Sequence, residues 1–188
     1  WIQHYLQHAK PRVVTLGRSR PALVFTDGAC EEDSTPGIQV ATIGGVLCGR
    51  GSAPDRFFGA TVPPDIVELL AQQSGSQVIG QIELAPIWVA KVLWHEAISD
   101  ERAIHFVDNN SAKFALIRGY SAVSSSGRLV DACWSLDAEL GTGPWYSRVP
   151  SPANISADPS SLHFHALLGL SLIHIQRSRP NETLLSLS

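Results

Sequence analysis

Two short apolar segments, each ending in an aspartate, constrain the fold of this chain more than any other feature. Residues 22–27 have the sequence ALVFTD and residues 103–108 have the sequence AIHFVD. Segments of this length and composition predict two buried strands. If these strands are parallel neighbours in one sheet, the side chains of Asp27 and Asp108 emerge at the same edge, which predicts a functional site there.

The remaining apolar segments predict a mixed sheet. Residues 38–48 and 56–62 are rich in β-branched or aromatic residues and follow the first strand after short links, which favours an antiparallel meander. Residues 145–149 predict a fifth strand. The first strand is expected to end at Asp27, because Gly28 permits a tight turn. The predicted fold class is therefore α/β: a mixed five-stranded sheet, an antiparallel meander plus parallel strands, flanked by helices.

Helical patterns occupy the intervals between these strands. The predicted helices cover residues 65–73, 81–98, 111–120 and 128–140. Glu83 is expected in the first turn of the second helix, and Asp158 in the segment that follows the last strand. Residues 124–127 (SSSG) are expected to form a loop or a cap. The tryptophans expected to pack in the interior are Trp88, Trp94, Trp134 and Trp145.

Four carboxylates are expected to converge at one point in this arrangement. They belong to Asp27, Glu83, Asp108 and Asp158. Carboxylates that lie close together raise one another's pKa values, so a fold that gathers them needs cations. Hard oxygen ligands favour Mg²⁺ or Mn²⁺ over zinc. Two such ions can activate water and stabilise the leaving oxygen in phosphodiester cleavage, so the sequence predicts a two-metal hydrolytic site.

The motifs around these acids resemble, in their order, those of the ribonuclease H-like superfamily. The four motifs are FTDGAC (25–30), GQIEL (80–84), FVDNN (106–110) and NISADPS (154–160). They are most similar to the ribonuclease H-type domains attached to the reverse transcriptases of retroelements. The resemblance covers residues 21–161. It implies an endoribonuclease that cuts the RNA strand of an RNA–DNA hybrid, and a covalently attached upstream reverse transcriptase domain.

The resemblance also implies a role for each matched residue. Asp27 and Asp108 would contact both metal ions or the ion nearest the nucleophile, and Glu83 and Asp158 would each hold one ion. The residues expected to contact substrate are Gly28, Ala29, Cys30 and Asn109. Glu83 would also accept a hydrogen bond from a ribose 2′-hydroxyl. From the residues alone, Cys30 also fits as a small packing residue and Asn109 as a helix cap.

Two departures from the superfamily pattern keep alternatives open. Many members carry a histidine in the loop before the fourth acid, whereas residues 150–157 contain none. The basic helical protrusion that some members use to grip a hybrid is not evident. One alternative is a catalytically silent ribonuclease H-like module that binds nucleic acid or connects domains. Another is a nuclease or transposase of the same superfold that acts on DNA; the four acids favour the enzyme, and the DGAC turn favours ribonuclease H.

Composition adds general constraints. A chain of 188 residues, 44% of them hydrophobic, is sufficient for one domain with a single core. The net charge of −3 argues mildly against binding nucleic acid through a general positive field. No apolar stretch is long enough to predict a membrane span, and no secretory signal pattern occurs. With three cysteines, an odd number, these features predict an intracellular protein of the cytoplasm or nucleus.

Three regions are expected along the chain. Residues 1–20 are interpreted as a connector from a missing upstream region, with a frayed N-terminal helix as the alternative, and residues 21–165 as the ribonuclease H-like domain. Residues 166–188 form a tail in which positions 170–175 (LSLIHI) match one reading frame of a common sequencing-library transposon end. The tail is therefore interpreted as translated sequencing adapter, with an amphipathic C-terminal helix as the alternative.

Overall fold

A computed structural model of the chain describes residues 20–32, 39–48, 56–74, 78–164 and 171–172, together with Gln3 and Gln7. The predicted connector (1–20) and the predicted tail (166–188) lie almost entirely outside the described residues. Both assignments therefore stay predictions. The four acidic motifs are described in full.

The strands form one mixed sheet. They are β1 (Ala22–Glu32), β2 (Gln39–Cys48), β3 (Arg56–Thr61), β4 (Arg102–Val107), β5 (Gly143–Arg148) and β6 (Ser171–Leu172). Their order across the sheet is β5-β4-β1-β2-β3-β6. Strands β1, β2 and β3 are antiparallel neighbours, whereas β4 is parallel to both β1 and β5. The predicted mixed sheet is confirmed, with the two-residue β6 added beside β3.

Strand β1 is longer than predicted. It pairs with β2 as far as Glu32, so Asp27 lies inside the strand and the expected tight turn at Gly28 is wrong. Gly28 serves a different purpose, because a Cβ atom on it would lie 2.3 Å from the carbonyl oxygen of Ile82. A glycine within a strand often marks such a close approach of another backbone.

The parallel pairing of β1 with β4 brings the two aspartates together. Phe25 lies opposite Phe106 in this register, and their rings stack at 4.5 Å between centroids. Two residues further along each strand, the same register sets Asp27 level with Asp108. The expectation that these two residues lie close together is confirmed, although Asp27 lies within its strand and not at its end.

The helices agree with the predicted order but differ in their bounds. They are α1 (Pro64–Ser74), α2 (Ile79–Leu93), α3 (His95–Ile98), α4 (Asn110–Arg118), α5 (Ser124–Leu140) and α6 (Ala157–Ser160), and a 3₁₀ turn covers Ser151–Ala153. The predicted second helix is divided at Trp94. Because α2 begins at Ile79, Glu83 lies in the second turn and not in the first.

The expected loop at residues 124–127 is wrong, since these residues form the first turn of α5. Ser125 and Ser126 are buried there, and Ser125 Oγ accepts a 2.9 Å hydrogen bond from Gln81 Nε2. Serine is usual near helix starts, and here the Ser125 hydroxyl also contacts α2. This bond ties the start of α5 to the start of α2.

Two of the four tryptophans are exposed. Trp94 is buried, and Trp134 is partly buried with its indole N–H donating to the Leu116 carbonyl. Trp145 is 69% exposed because it lies on the edge strand β5, where Tyr146 takes the buried position. The core expectation is therefore wrong for Trp145 and for Trp88, which is also exposed. Among the described helices, none has the length and apolar character needed to cross a membrane.

Candidate metal centre

Three carboxylates converge where β1, α2 and the end of β4 meet. Asp27, Glu83 and Asp108 each offer one oxygen, and these oxygens all lie within 4.8 Å of one another. Asp27 comes from the middle of β1, Glu83 from α2, and Asp108 directly follows β4. Three of the four predicted ligands are thus brought together.

Glu83 reaches this point because α2 lies against β1 without an intervening side chain. The Ile82 carbonyl faces Gly28, where any Cβ would collide with it. Pro86, inside α2, has no N–H to bond this carbonyl, which leaves the carbonyl oxygen free of the usual helical partner. Gly28 and Pro86 together therefore set the close contact that places Glu83 beside Asp27.

Asn109 links the second aspartate to the helix that follows it. Its side-chain oxygen accepts a 3.1 Å hydrogen bond from Ala112 N and so caps α4. The same side chain hydrogen-bonds the Glu83 carboxylate. One residue thus fixes the start of α4 and one of the three acids, and the helix-cap interpretation of Asn109 is confirmed.

The electrostatics of the cluster favour a bound cation or a bound proton. Glu83 is 8% exposed, and this burial, followed by the charges of Asp108 and Asp27, raises the pKa of its carboxyl to about 8. Burial also raises the pKa of Asp27, with Asp108 adding to the effect and the Ser160 hydrogen bond opposing it. Like charges in a low-dielectric site are unfavourable until an opposite charge neutralises them.

Two unpartnered oxygens show that a metal fits. Glu83 Oε2 and Asp108 Oδ1 are buried, and neither has a hydrogen-bond partner among the described residues. Buried polar atoms are normally satisfied, so two such oxygens in one acidic cluster call for a ligand with positive charge. Carboxylates are hard donors and suit Mg²⁺ or Mn²⁺.

Asp158 lies outside the three-carboxylate cluster. It is exposed on α6, and its assignment as a fourth ligand stays a prediction. Two other residues of the same motif contact Asp27: Ser160 Oγ donates to Oδ2 at 2.5 Å, and Asn154 Nδ2 donates to Oδ1 at 3.4 Å. Sequence reasoning missed both residues, because their only signal was membership of the fourth motif.

The residues expected to contact substrate have structural partners as well. Gly28 is covered by α2, Ala29 is half-buried in β1, and partly buried Cys30 packs against the main hydrophobic core. The packing interpretation of Cys30 is thereby confirmed. Contacts of these residues and of Asn109 with a substrate stay predictions.

Comparison with solved structures identifies the fold. Ribonuclease H1 from Halobacterium salinarum NRC-1 superposes with a TM-score of 0.55 at 18% identity, over 74% of this chain and 93% of that chain. The N-terminal ribonuclease H domain of Rv2228c from Mycobacterium tuberculosis gives 0.52 at 14% identity, over 79% and 96%. LC11-RNase H1, solved in complex with an RNA/DNA hybrid, gives 0.51 at 11% identity, over 78% and 99%. No protein-family model and no curated protein matches the chain.

Proposed function

Because the chain has a ribonuclease H-like fold, we propose that it is a metal-dependent endonuclease that hydrolyses the RNA strand of RNA–DNA hybrids. The observation that carries this proposal is the convergence of Asp27, Glu83 and Asp108 within 4.8 Å, two of them with unpartnered buried oxygens. Fold alone does not determine function, so the proposal rests on the site.

The three acids would hold two divalent ions, Mg²⁺ or Mn²⁺, with Asp158 as the proposed fourth ligand. Bound ions of this kind supply water activation and stabilise the leaving oxygen in phosphodiester hydrolysis. The protein's own contribution is positional. Asn109 bonds Glu83, while Ser160 and Asn154 bond Asp27, so the carboxylates are oriented within the fold. Such orientation reduces the reorganisation that binding and chemistry require.

An RNA–DNA hybrid is the proposed substrate for two reasons. The four motifs resemble those of ribonuclease H domains, and a structural neighbour of this chain was solved with an RNA/DNA hybrid bound. In this proposal Glu83 accepts a hydrogen bond from a ribose 2′-hydroxyl, the group that distinguishes RNA from DNA. Ala29, Cys30 and Asn109, which lie next to the acids along the chain, would contact the RNA strand together with Gly28.

We further propose that the chain is a fragment of a retroelement polyprotein whose upstream reverse transcriptase domain is covalently attached. The similarity of the four motifs to those domains supports this origin. An upstream domain would also supply hybrid affinity, because this chain carries a net charge of −3 and provides little general attraction for phosphates.

The deciding experiment uses the full chain with a labelled RNA–DNA hybrid, single-stranded RNA and duplex DNA. Each substrate is incubated with Mg²⁺, Mn²⁺ or chelator, and the products are resolved by length. We expect metal-dependent cutting of RNA in the hybrid alone. Cutting of duplex DNA would instead favour a DNA-acting nuclease or transposase. A folded protein that cuts none of these substrates would contradict the proposal.

A catalytically silent binding module is the second candidate. The exposed position of Asp158, outside the three-carboxylate cluster, favours it. This candidate expects hybrid binding without cleavage. A gel-shift assay run beside the cleavage assay separates the two functions.

A further inference from the structure

The hydrogen bond between Ser160 and Asp27 joins two segments that lie far apart in the sequence. Ser160 Oγ lies 2.5 Å from Asp27 Oδ2 and 2.9 Å from the Ala157 carbonyl oxygen, and the Ser160 side chain is buried. The hydroxyl has one hydrogen, and the shorter contact with the carboxylate assigns that hydrogen to Asp27. We propose that Ser160 is a positioning residue that orients the Asp27 carboxylate for metal binding. This inference rests on the proposed metal centre and deepens it, since it assigns a residue that the four acidic positions do not include.

The sheet is shaped to receive Ser160 at this point. Asp27 pairs with Gly44, and Gly44 pairs with Gly59, so the three residues form one row across β1, β2 and β3. A Cβ on Gly44 would lie 2.2 Å from Ser160 N, and a Cβ on Gly59 would lie 2.3 Å from the Pro159 carbonyl oxygen. The two glycines therefore let the backbone of α6 lie directly on the sheet beside Asp27.

A second donor reaches the other oxygen of the same carboxylate. Asn154 Nδ2 lies 3.4 Å from Asp27 Oδ1 and 3.3 Å from the Thr26 carbonyl oxygen. The orientation of this amide is fixed in turn, because Ser156 Oγ donates to Asn154 Oδ1 at 2.6 Å. Asn154, Ser156 and Ser160 are all at most 5% exposed. The segment thus holds both oxygens of Asp27 with buried donors.

This arrangement has a direct consequence for metal affinity. Hydrogen bonds to a ligating carboxylate fix its orientation, and loss of such a partner typically weakens metal binding about 10–100-fold. Ser160 supplies the shorter of the two bonds, so it is expected to contribute more than Asn154. This geometry explains why Ser160 is buried although Asp158, the acid of the same motif, is exposed.

The test is a calorimetric Mn²⁺ titration of the full chain and of its Ser160→Ala variant. Removal of one hydroxyl is sterically mild, and we expect the Mn²⁺ dissociation constant to rise about tenfold or more. Ser156→Ala is the second variant. It removes the shorter of the two hydrogen bonds from residue 156 to Asn154 Oδ1, and it is expected to weaken Mn²⁺ binding by a smaller factor. Circular dichroism verifies that each variant is folded.

Two matched serine controls separate positioning from general structure. Ser161→Ala changes the exposed neighbour of Ser160 and is expected to leave Mn²⁺ affinity and stability unchanged. Ser125→Ala removes a buried hydroxyl that bonds Gln81, so it is expected to lower the melting temperature without changing Mn²⁺ affinity. A purely structural role for Ser160 would make Ser160→Ala behave like Ser125→Ala.

The outcomes distinguish this inference from the proposed function. Folded Ser160→Ala protein with wild-type Mn²⁺ affinity overturns the positioning role, even if the wild-type chain cuts hybrid. Weakened Mn²⁺ binding in a protein that cuts no nucleic acid supports the positioning role and counts against the nuclease. A wild-type chain that binds no Mn²⁺ overturns both.

Discussion

Helix α2 carries two buried charged residues, Glu83 and Lys91, whose surroundings are opposite in character. Lys91 is fully buried, and its Nζ lies 2.5 Å from Asp137 Oδ1 and 3.3 Å from His105 Nε2. Asp137 also accepts a 3.3 Å hydrogen bond from the Tyr146 hydroxyl. The Lys91 charge at this end of α2 is balanced within the chain by Asp137, although His105 Nδ1 is buried and has no hydrogen-bond partner among the described residues.

The Glu83 end of the same helix is not balanced. Its carboxylate meets two others, from Asp27 and Asp108, and two buried oxygens in the cluster have no partner among the described residues. The neighbouring hydrogen-bond donors orient the acids but do not cancel their charge. A proton or, in the proposed function, a metal ion from outside the chain would neutralise this cluster.

The difference between the surroundings of Lys91 and Glu83 distinguishes a buried charge that stabilises the fold from one that belongs to a functional site. A buried pair such as Lys91–Asp137 is complete once the chain folds, so its effects concern stability and specificity of packing. A buried group of like charges with raised pKa values is not neutralised by folding alone, and it indicates a functional site. The neutral state of His105 fits the first case, because burial, and next the Lys91 charge, lower its pKa well below the ordinary value.

The largest expected effect comes from Asp108→Asn. This change removes one ligand charge from the unbalanced cluster at little steric cost. We expect the rate of hybrid cleavage to fall at least about 100-fold. Loss of a hydrogen-bond partner of a metal ligand typically costs about 10–100-fold in metal affinity or activity, and loss of a ligand charge should cost at least the upper value. Thermal stability should be unchanged or higher, because one like charge is removed. The exposed Asp131→Asn on α5 is the control, and wild-type turnover by Asp108→Asn would refute the proposed site.

Asp137→Asn tests the balanced cluster. It leaves the Lys91 charge buried without its partner, and removing one member of a buried pair typically costs about 3–5 kcal/mol. Urea unfolding followed by circular dichroism measures this loss of unfolding free energy. Asp131→Asn lies on the same helix, exposed, and should change it by less than about 0.5 kcal/mol. If Asp137→Asn were as stable as that control, the contrast between the two clusters would fail.

The sequence was sufficient for the parts of the fold that local patterns determine. Short apolar segments rich in β-branched or aromatic residues predicted the strands, and the aspartates at the ends of two of these segments predicted that Asp27 and Asp108 would meet. The predicted end of β1 was less accurate, because a glycine such as Gly28 fits two different backbone environments. It suits a turn, but here it admits the backbone of α2 beside a continuing strand.

The rest depends on partners that are distant in the sequence. Lys91 and Asp137 lie 46 residues apart, and Ser160 and Asp27 lie 133 apart, so neither contact leaves a local signal. Asp158 shows a related limit. Residues two apart on a helix point about 200° from each other, so when Ser160 faces Asp27 the side chain of Asp158 points toward solvent.

The last expected effect is a pH dependence of stability that the unbalanced cluster contributes. The pKa of Glu83 is raised from 4.5 to about 8 in the folded protein. Between these values the folded state binds a proton that the unfolded state releases, so the contribution of Glu83 to stability is greatest below pH 4.5 and falls as pH rises toward 8. In chelator, the melting temperature of wild type relative to Glu83→Gln should therefore decrease over this range.

Mn²⁺ provides the decisive comparison for this pH dependence, because it replaces the proton as the neutralising charge. At pH 8 the ion should raise the melting temperature of the wild-type chain by several degrees, since each 1 kcal/mol moves it by about 2–4 °C in a chain of this size. At pH 5 the gain should be smaller, because Mn²⁺ then competes with the Glu83 proton. Equal gains at both pH values, or an unchanged response in Glu83→Gln, would mean that Glu83 does not couple metal binding to protonation.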